Sequence, residues 1–268
     1  HNLTMIPFYI FYSMFGFQRI HDLAWAAGDA QAKGFLIGAT SGRTTLNGEG
    51  LQHQDGHSHI LSSTIPNCKS YDPAFGFELA VIIQHGIIEM YEEKQNFFYY
   101  LTVTNERYLQ PQKPKIKKVD EQIIKGMYKF LSVSRPMIRL LGSGAILNEC
   151  LKAHEILKQF DITSEVWSVT SFNMLRKDGM EIENVNLKNP SQTPQASYVE
   201  QSFAHENIPA VAATDYMRAY AEQIRPFVKG TYFTLGTDGF GRSDSRKKLR
   251  EYFEVDANNI AATAAYAL

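Results

Sequence analysis

The stretch Thr4-Met-Ile-Pro-Phe-Tyr-Ile-Phe-Tyr-Ser13 runs directly into Met14-Phe-Gly-Phe-Gln-Arg-Ile20, and the change of period between the two decides the fold. The first half gathers Ile6, Phe8, Tyr9, Ile10, Phe11 and Tyr12, a continuous β-prone run that suits a strand buried on both faces. From Phe15 the apolar residues recur at helical spacing (Phe17, Ile20, Leu23 or Ala24, Ala27), with Gln18, Arg19 and Asp22 between them. Gly28 or Gly34 would close that helix, and Phe35-Leu-Ile-Gly-Ala39 reads as a second short strand. Strand, helix and strand in succession form the unit of a parallel sheet with helical cover.

The alternation continues outward. Pro73 opens a helical pattern from about Ala74 to Lys94, and Phe97 to Thr104 returns to strand. Further on, Met137 to Leu141 reads as a strand, Gly142-Ser-Gly144 as a turn, Ile146 to Phe160 as an amphipathic helix and Glu165 to Val169 as another strand. Pro209 to Ala213, Met217 to Ile224, Tyr232 to Leu235 and Lys247 to Phe253 extend the pattern, whereas Val185 to Ala204 is polar and irregular. Pro111-Gln-Lys-Pro-Lys-Ile-Lys-Lys118 is a natural boundary, its lysines most simply a solvated linker. The expected fold class is α/β, with two successive domains of mostly parallel sheets flanked by helices: residues 1–110, a linker at 111–120, and residues 121–268.

Composition narrows the function classes. With 44% hydrophobic and 12% aromatic residues in 268, the chain can build real cores. A formal charge of −1 implies no broad basic face for nucleic acid or anionic lipid. Cys68 and Cys150 are the only cysteines, which disfavours a disulfide-built secreted fold and points to a reducing compartment. Met5 to Phe17 is apolar but too short to cross a bilayer, and it lacks the pattern of a signal peptide. Because the chain starts at His1 and enters a hydrophobic strand almost at once, it is expected to be the later part of a longer protein.

Chemistry concentrates in Arg43-Thr-Thr-Leu-Asn-Gly-Glu-Gly-Leu-Gln-His53-Gln-Asp55-Gly-His57-Ser-His59, where three of eight histidines fall within seven residues. They lie inside a segment of more than thirty residues, Thr40 to Asp72, without a long periodic element, which is anchored by Leu46, Leu51, Ile60, Leu61, Ile65 and Tyr71 and so reads as an ordered site loop. Three readings stand for its histidines. Alternate residues with Asp55 could ligate zinc, although the spacing matches no tight signature. The imidazoles could tie the loop to backbone carbonyls. They could also contact a substrate and exchange protons near neutral pH. Gly236-Thr-Asp-Gly-Phe-Gly241-Arg-Ser-Asp244 fits neither the dinucleotide nor the Walker pattern and reads as a tight turn capped by Ser243 or Asp244. Trp25 and Trp167 read as core, and Glu89-Met-Tyr-Glu-Glu93 as a solvated face. Tyr12, Phe15 and Phe17 surround a turn at the carboxyl end of a strand, where open α/β sheets bind ligands.

These segments resemble the homodimeric dehydrogenase component of the bacterial pyruvate dehydrogenase complex, a thiamine-diphosphate enzyme family related to transketolase. The resemblance is carried by Pro7 to Arg19, Ser41 to His53, Asp55-Gly-His-Ser-His59, Ser63-Thr-Ile-Pro-Asn67, Trp167-Ser-Val-Thr-Ser-Phe172, Ala213-Thr-Asp-Tyr-Met217 and Leu235 to Asp244, nearly end to end. It implies that residues 1–110 are the later part of a pyrimidine-binding domain and 121–268 a transketolase-type C-terminal domain. It further implies a cytoplasmic bacterial oxidoreductase that decarboxylates pyruvate and acetylates the lipoyl group of the dihydrolipoyl acyltransferase component, with a second copy of the subunit as partner. By the same resemblance Phe15 would stack on the cofactor's aminopyrimidine with Tyr12 and Arg19 beside it, His53 would be the catalytic contact to substrate, and Glu49 would line the site. Magnesium ligands and the activating carboxylate are expected upstream, so no metal residue is assigned here and the chain alone would be inactive. Gln54 departs from the family, standing where an acid is common. A ketol-transferring transketolase relative and a non-catalytic dimerisation or docking pair are the alternatives.

Overall fold

The computed structural model describes residues 3–204 and 206–268; His1, Asn2 and His205 lie outside them. A first, all-parallel sheet is built from β1 (Phe8–Tyr12), β2 (Phe35–Ala39), β3 (Cys68–Tyr71) and β4 (Phe98–Thr102) in the order β1-β2-β4-β3. The helix read from Phe15 onward is α1 (Gly16–Asp29), which crosses between β1 and β2. α2 (Ser58–Ser62) and α3 (Gly76–Ile87) complete the helical cover, with a π-helical turn at Ile88–Glu92 extending α3. A second sheet has the order β5-β7-β6-β8-β9, from β5 (Met127–Leu131), β6 (Ile138–Gly142), β7 (Ser164–Val169), β8 (Ala210–Ala213) and β9 (Tyr232–Leu235). It is parallel except for β5. α4 (Val119–Lys125), α5 (Leu147–Lys158), α6 (Phe172–Lys188), α7 (Tyr198–Ser202), α8 (Arg218–Glu222), α9 (Arg246–Tyr252) and α10 (Ala257–Tyr266) surround it.

Each sheet is packed on both faces. Phe17, Ala24, Ile65, Phe98 and Tyr100 fill one side of the first, and Ile37, Ile82, Tyr99, Leu101, Val119, Ile123 and Tyr128 the other. α4 and β5 thus contribute to the core of the first sheet as well as opening the second unit.

Several expectations need correction. β1 is short and largely exposed (Phe8 46%, Ile10 65%), not buried on both faces, because as an edge strand it is paired only with β2. Trp25 is 51% exposed. The buried stripe of α1 is Gly16, Phe17, Ala24 and Gly28, and Trp25 sits one residue, about 100°, round the helix from Ala24. Trp167 is buried as expected. Glu89 does not face solvent: it accepts hydrogen bonds from Lys69 and from the Tyr99 hydroxyl at 2.6 Å, while Glu92 and Glu93 are exposed. The segment 185–204 is more regular than its polarity suggested, since α6 continues to Lys188 and a capping box of Ser197 and Glu200 starts α7. The cap of α9 is Ser245, which accepts from Lys248 N, rather than Ser243 or Asp244. Leu51 is exposed and anchors nothing, unlike Leu46 and Ile65.

Candidate active site

Strand β1 ends at Tyr12, and Ser13 N donates to Ala39 O at 3.0 Å, so the chain turns into α1 at the carboxyl end of the sheet. The aromatic cluster divides there. Phe17 turns inward and is buried, whereas Phe15 remains half-buried and Tyr12 lies at the surface. Their rings are 5.7 Å apart. The His53 ring meets both edge-on, 5.1 Å from Phe15 and 5.6 Å from Tyr12. The Arg19 guanidinium lies 4.4 Å from the centre of the Phe15 ring. Glu49 Oε2 stands 3.9 Å from His53 Nδ1, beyond hydrogen-bond reach, so that nitrogen is buried without a hydrogen-bond partner although the side chain as a whole is 29% exposed. Tyr12, Phe15, Arg19 and His53 therefore form one cluster of contacts, with Glu49 beside it.

The three histidines do not converge. His57 precedes α2 and gives its backbone N–H to Asp55, which also receives Ser58 N and the Ser58 hydroxyl. His59 is fully buried, stacked on Tyr220 with ring centres 4.8 Å apart and hydrogen-bonded through Nε2 to Thr102 Oγ1 at 3.0 Å. Burial drives its pKa down to about 3, so the ring is neutral at neutral pH. Among the described residues no three His, Cys, Asp or Glu side chains are grouped to hold a metal.

What holds the loop in place comes from the second sheet. Asp215, just beyond β8, accepts Thr44 N at 2.8 Å, Thr45 N at 3.0 Å and both threonine hydroxyls. Gly42 passes with φ +91°, and a Cβ there would stand 2.2 Å from Asp215 Oδ2. Arg43 is buried and donates to the carbonyls of Thr237 and Gly239. Burial lowers its pKa, with Asp55, Asp215 and Asp238 opposing. Gln54 donates to Leu46 O at 2.6 Å and accepts Arg242 N at 2.7 Å, so its amide serves as a bridge. Gly48 N donates to Asp244 O at 3.1 Å, and Ser243 Oγ to Gly48 O at 3.0 Å. The glycine-rich turn 236–244 is thus a clamp on the histidine loop. Sequence reasoning assigned no role to Asp215 or to the Arg43 clamp. The signal available was the pair of unusual stretches themselves, since Ser41–His53 and Leu235–Asp244 meet in space.

Two family profiles match the chain in succession: "Pyruvate dehydrogenase E1 component middle domain" over residues 1–111 and "Transketolase-like TK C-terminal domain" over 126–256. The "Pyruvate dehydrogenase E1 component" of Pseudomonas aeruginosa is 58% identical over 273 residues, covering 100% of this chain and 31% of that protein. The protein of the same name from Escherichia coli K12 is 56% identical, covering 98% of the chain and 30% of its own length. The chain belongs to the pyruvate dehydrogenase E1 component family. It spans about a third of the length of these relatives. Among solved structures, transketolase from Campylobacter jejuni aligns with a TM-score of 0.75 at 17% identity, covering 98% of this chain and 36% of that one. A "split gene transketolase, inactive beta4 tetramer" aligns at 0.72 and 14% identity, covering 98% and 76%. These likenesses show the fold: a transketolase-like α/β arrangement of two mostly parallel sheets, as the strand and helix pattern implied. No helix among the described residues is long and apolar enough to cross a membrane.

Proposed function

We propose that this chain supplies the pyrimidine-side wall of a thiamine-diphosphate site in a bacterial, cytoplasmic pyruvate dehydrogenase. The edge-on contact of Phe15 and His53 carries the reading. The residues present suit the ring end of that cofactor: a half-buried aromatic face, a tyrosine beside it, and an imidazole nitrogen buried without a partner. Phe15 would hold the aminopyrimidine by stacking, worth on the order of 1 kcal/mol beyond burial. Tyr12 and Arg19 would limit its movement. Thiamine diphosphate, when bound, supplies the nucleophilic carbon and the electron sink needed to release carbon dioxide from pyruvate.

The imidazole of His53 can donate to a substrate oxygen or hold a proton at Nδ1, with Glu49 Oε2 3.9 Å away. Edge contact with Tyr12 and Phe15 fixes the plane of the imidazole. The Asp215, Arg43 and Gln54 clamps hold its loop rigid, which limits the reorganisation required during reaction.

On this reading residues 1–110 are the later part of the pyrimidine-binding domain, 111–120 a linker and 121–268 the C-terminal domain. The partners are a second copy of the subunit and the dihydrolipoyl acyltransferase component, whose lipoyl group accepts the acetyl unit. Magnesium and the diphosphate fall to residues outside this chain, which alone is inactive. A ketol transferase acting on sugar phosphates would need free basic groups, and Arg43 is already committed to two carbonyls.

Carboxyl-labelled pyruvate tests the proposal in a protein of the relatives' full length. His53→Ala should lower label release by roughly 10²- to 10³-fold with thiamine-diphosphate affinity within a few-fold. Undiminished release would remove His53 from the reaction. Sugar-phosphate exchange without label release would select the ketol transferase.

A further inference from the structure

Three side chains stand in line where the two sheets meet. Asp72 follows β3, Thr102 ends β4, and His59 lies in α2 on the loop that carries His53. Thr102 Oγ1 is 2.7 Å from Asp72 Oδ1 and 3.0 Å from His59 Nε2. Tyr216 OH reaches the same Asp72 oxygen at 3.4 Å. All three residues of the line are buried, and both of its ends are open: His59 Nδ1 and Asp72 Oδ2 have no hydrogen-bond partner among the described residues. Packing at Asp72 is tight enough that a Cβ on Gly144 would stand 2.5 Å from Oδ2.

The Thr102 hydroxyl has one proton and so imposes a direction on the line. When Asp72 is ionised, that proton points to Oδ1, and the Thr102 oxygen can only accept from His59. His59 then carries its proton on Nε2. When Asp72 is protonated at Oδ1, its proton points to the Thr102 oxygen 2.7 Å away, while Ser143, which also faces the carboxyl, is engaged with Thr214. The Thr102 proton then goes to His59 Nε2 at 3.0 Å, closer than Tyr71 O at 3.3 Å, and an Nε2 that accepts requires the His59 proton on Nδ1.

We propose that Asp72 stores a single proton between the two sheets and that Thr102 couples this protonation to the ring tautomer of His59. Uptake balances in one relay. A proton binds at His59 Nδ1, the Nε2 proton passes to Thr102 Oγ1, and the Thr102 proton passes to Asp72 Oδ1. The imidazole ends neutral and one proton has been gained.

Charges around the line favour storage at Asp72. Asp55 and Asp215 add negative potential, and Tyr100, Tyr108, Tyr216 and Tyr220 face it from β4, the segment beyond β4, the β8–α8 turn and α8. Arg43 and Arg250 lie near Asp55 and Asp215, and Asp72 forms no ion pair among the described residues. Burial raises the Asp72 carboxyl to about 7, against the hydroxyls of Thr102 and Ser143, which lower it. This inference does not depend on the cofactor proposed above.

Ring-nitrogen NMR of protein labelled with [15N]histidine reads the tautomer directly, the His59 signals being assigned by their loss in His59→Gln. Between about pH 5.5 and 8.5 the His59 proton should move from Nδ1 to Nε2, with a midpoint near 7. In Asp72→Asn the amide oxygen accepts from Thr102 at every pH, so His59 should keep its proton on Nε2 throughout. If that variant does not fold, Thr102→Val interrupts the line with Asp72 in place, and the tautomer should again become independent of pH. A constant tautomer in the unmodified protein, or a swap that persists in either variant, overturns the proposal.

Discussion

Three histidines within seven residues serve three different ends, and neighbours rather than spacing separate them. His53 is edge-on to two aromatic rings, the His57 backbone starts a helix, and His59 is a neutral core residue on Tyr220. Asp215 matters as much to the loop as any of them, since its two oxygens receive four donors from Thr44 and Thr45. Asp215→Asn sets an amide N–H₂ against two of those donors inside a buried site. It should cost about 2–3 kcal/mol in denaturant unfolding, where a loss below about 0.5 kcal/mol would show that the clamp is not tight.

At the scale of elements, the loop 41–59 has little regular structure of its own, and its order comes from the turn 236–244 pressed against it. Most strands and helices were legible in advance because their apolar period is clear: β2 and β9 coincide with the runs read from sequence, and α1 with the stripe starting at Phe15. β3, with only Cys-Lys-Ser-Tyr, was not legible, nor was β5, whose antiparallel pairing with β7 depends on a partner nearly forty residues away. The site's aromatic and imidazole members were legible through the family resemblance, but the clamp was not, because no local pattern reports a contact between positions 43 and 239. Gly42→Ala probes that contact. It forces a Cβ onto the Asp215 carboxylate at a φ that favours glycine, so unfolding should be easier by roughly 1–3 kcal/mol. Unchanged stability would mean that the loop relaxes without cost.

Over the whole molecule, the two sheets are joined by polar contacts as well as by shared core. Asp72 N donates to Thr170 O at 2.7 Å, Ser171 Oγ to Ser70 O at 2.6 Å, and Glu78 accepts both Tyr128 OH and Ser168 Oγ. Asp72 makes this junction pH-dependent. Its carboxyl is raised from 3.8 to about 7, so the folded state binds the proton more tightly than the unfolded chain. The sign follows: its contribution is most favourable below the unfolded value and is lost as pH rises to about 7, at roughly 1.4 kcal/mol per pH unit, then stays level. Asp72→Asn should flatten the fall in unfolding free energy between about pH 5 and 7 by 1–3 kcal/mol, measured by denaturant titration at each pH. A slope equal to that of the unmodified protein would place the titration elsewhere.

The sequence by itself determined the alternation of strand and helix, the mostly parallel sense of the sheets and the kinds of side chain at the site, because apolar period and glycine placement act over a few residues. Tertiary structure alone decided which imidazole meets the aromatic pair, which is walled into the core, and that β1 and Trp25 lie exposed. Those outcomes depend on contacts between segments as much as two hundred residues apart, such as Arg43 with Gly239, and on β1 having a paired strand on only one side.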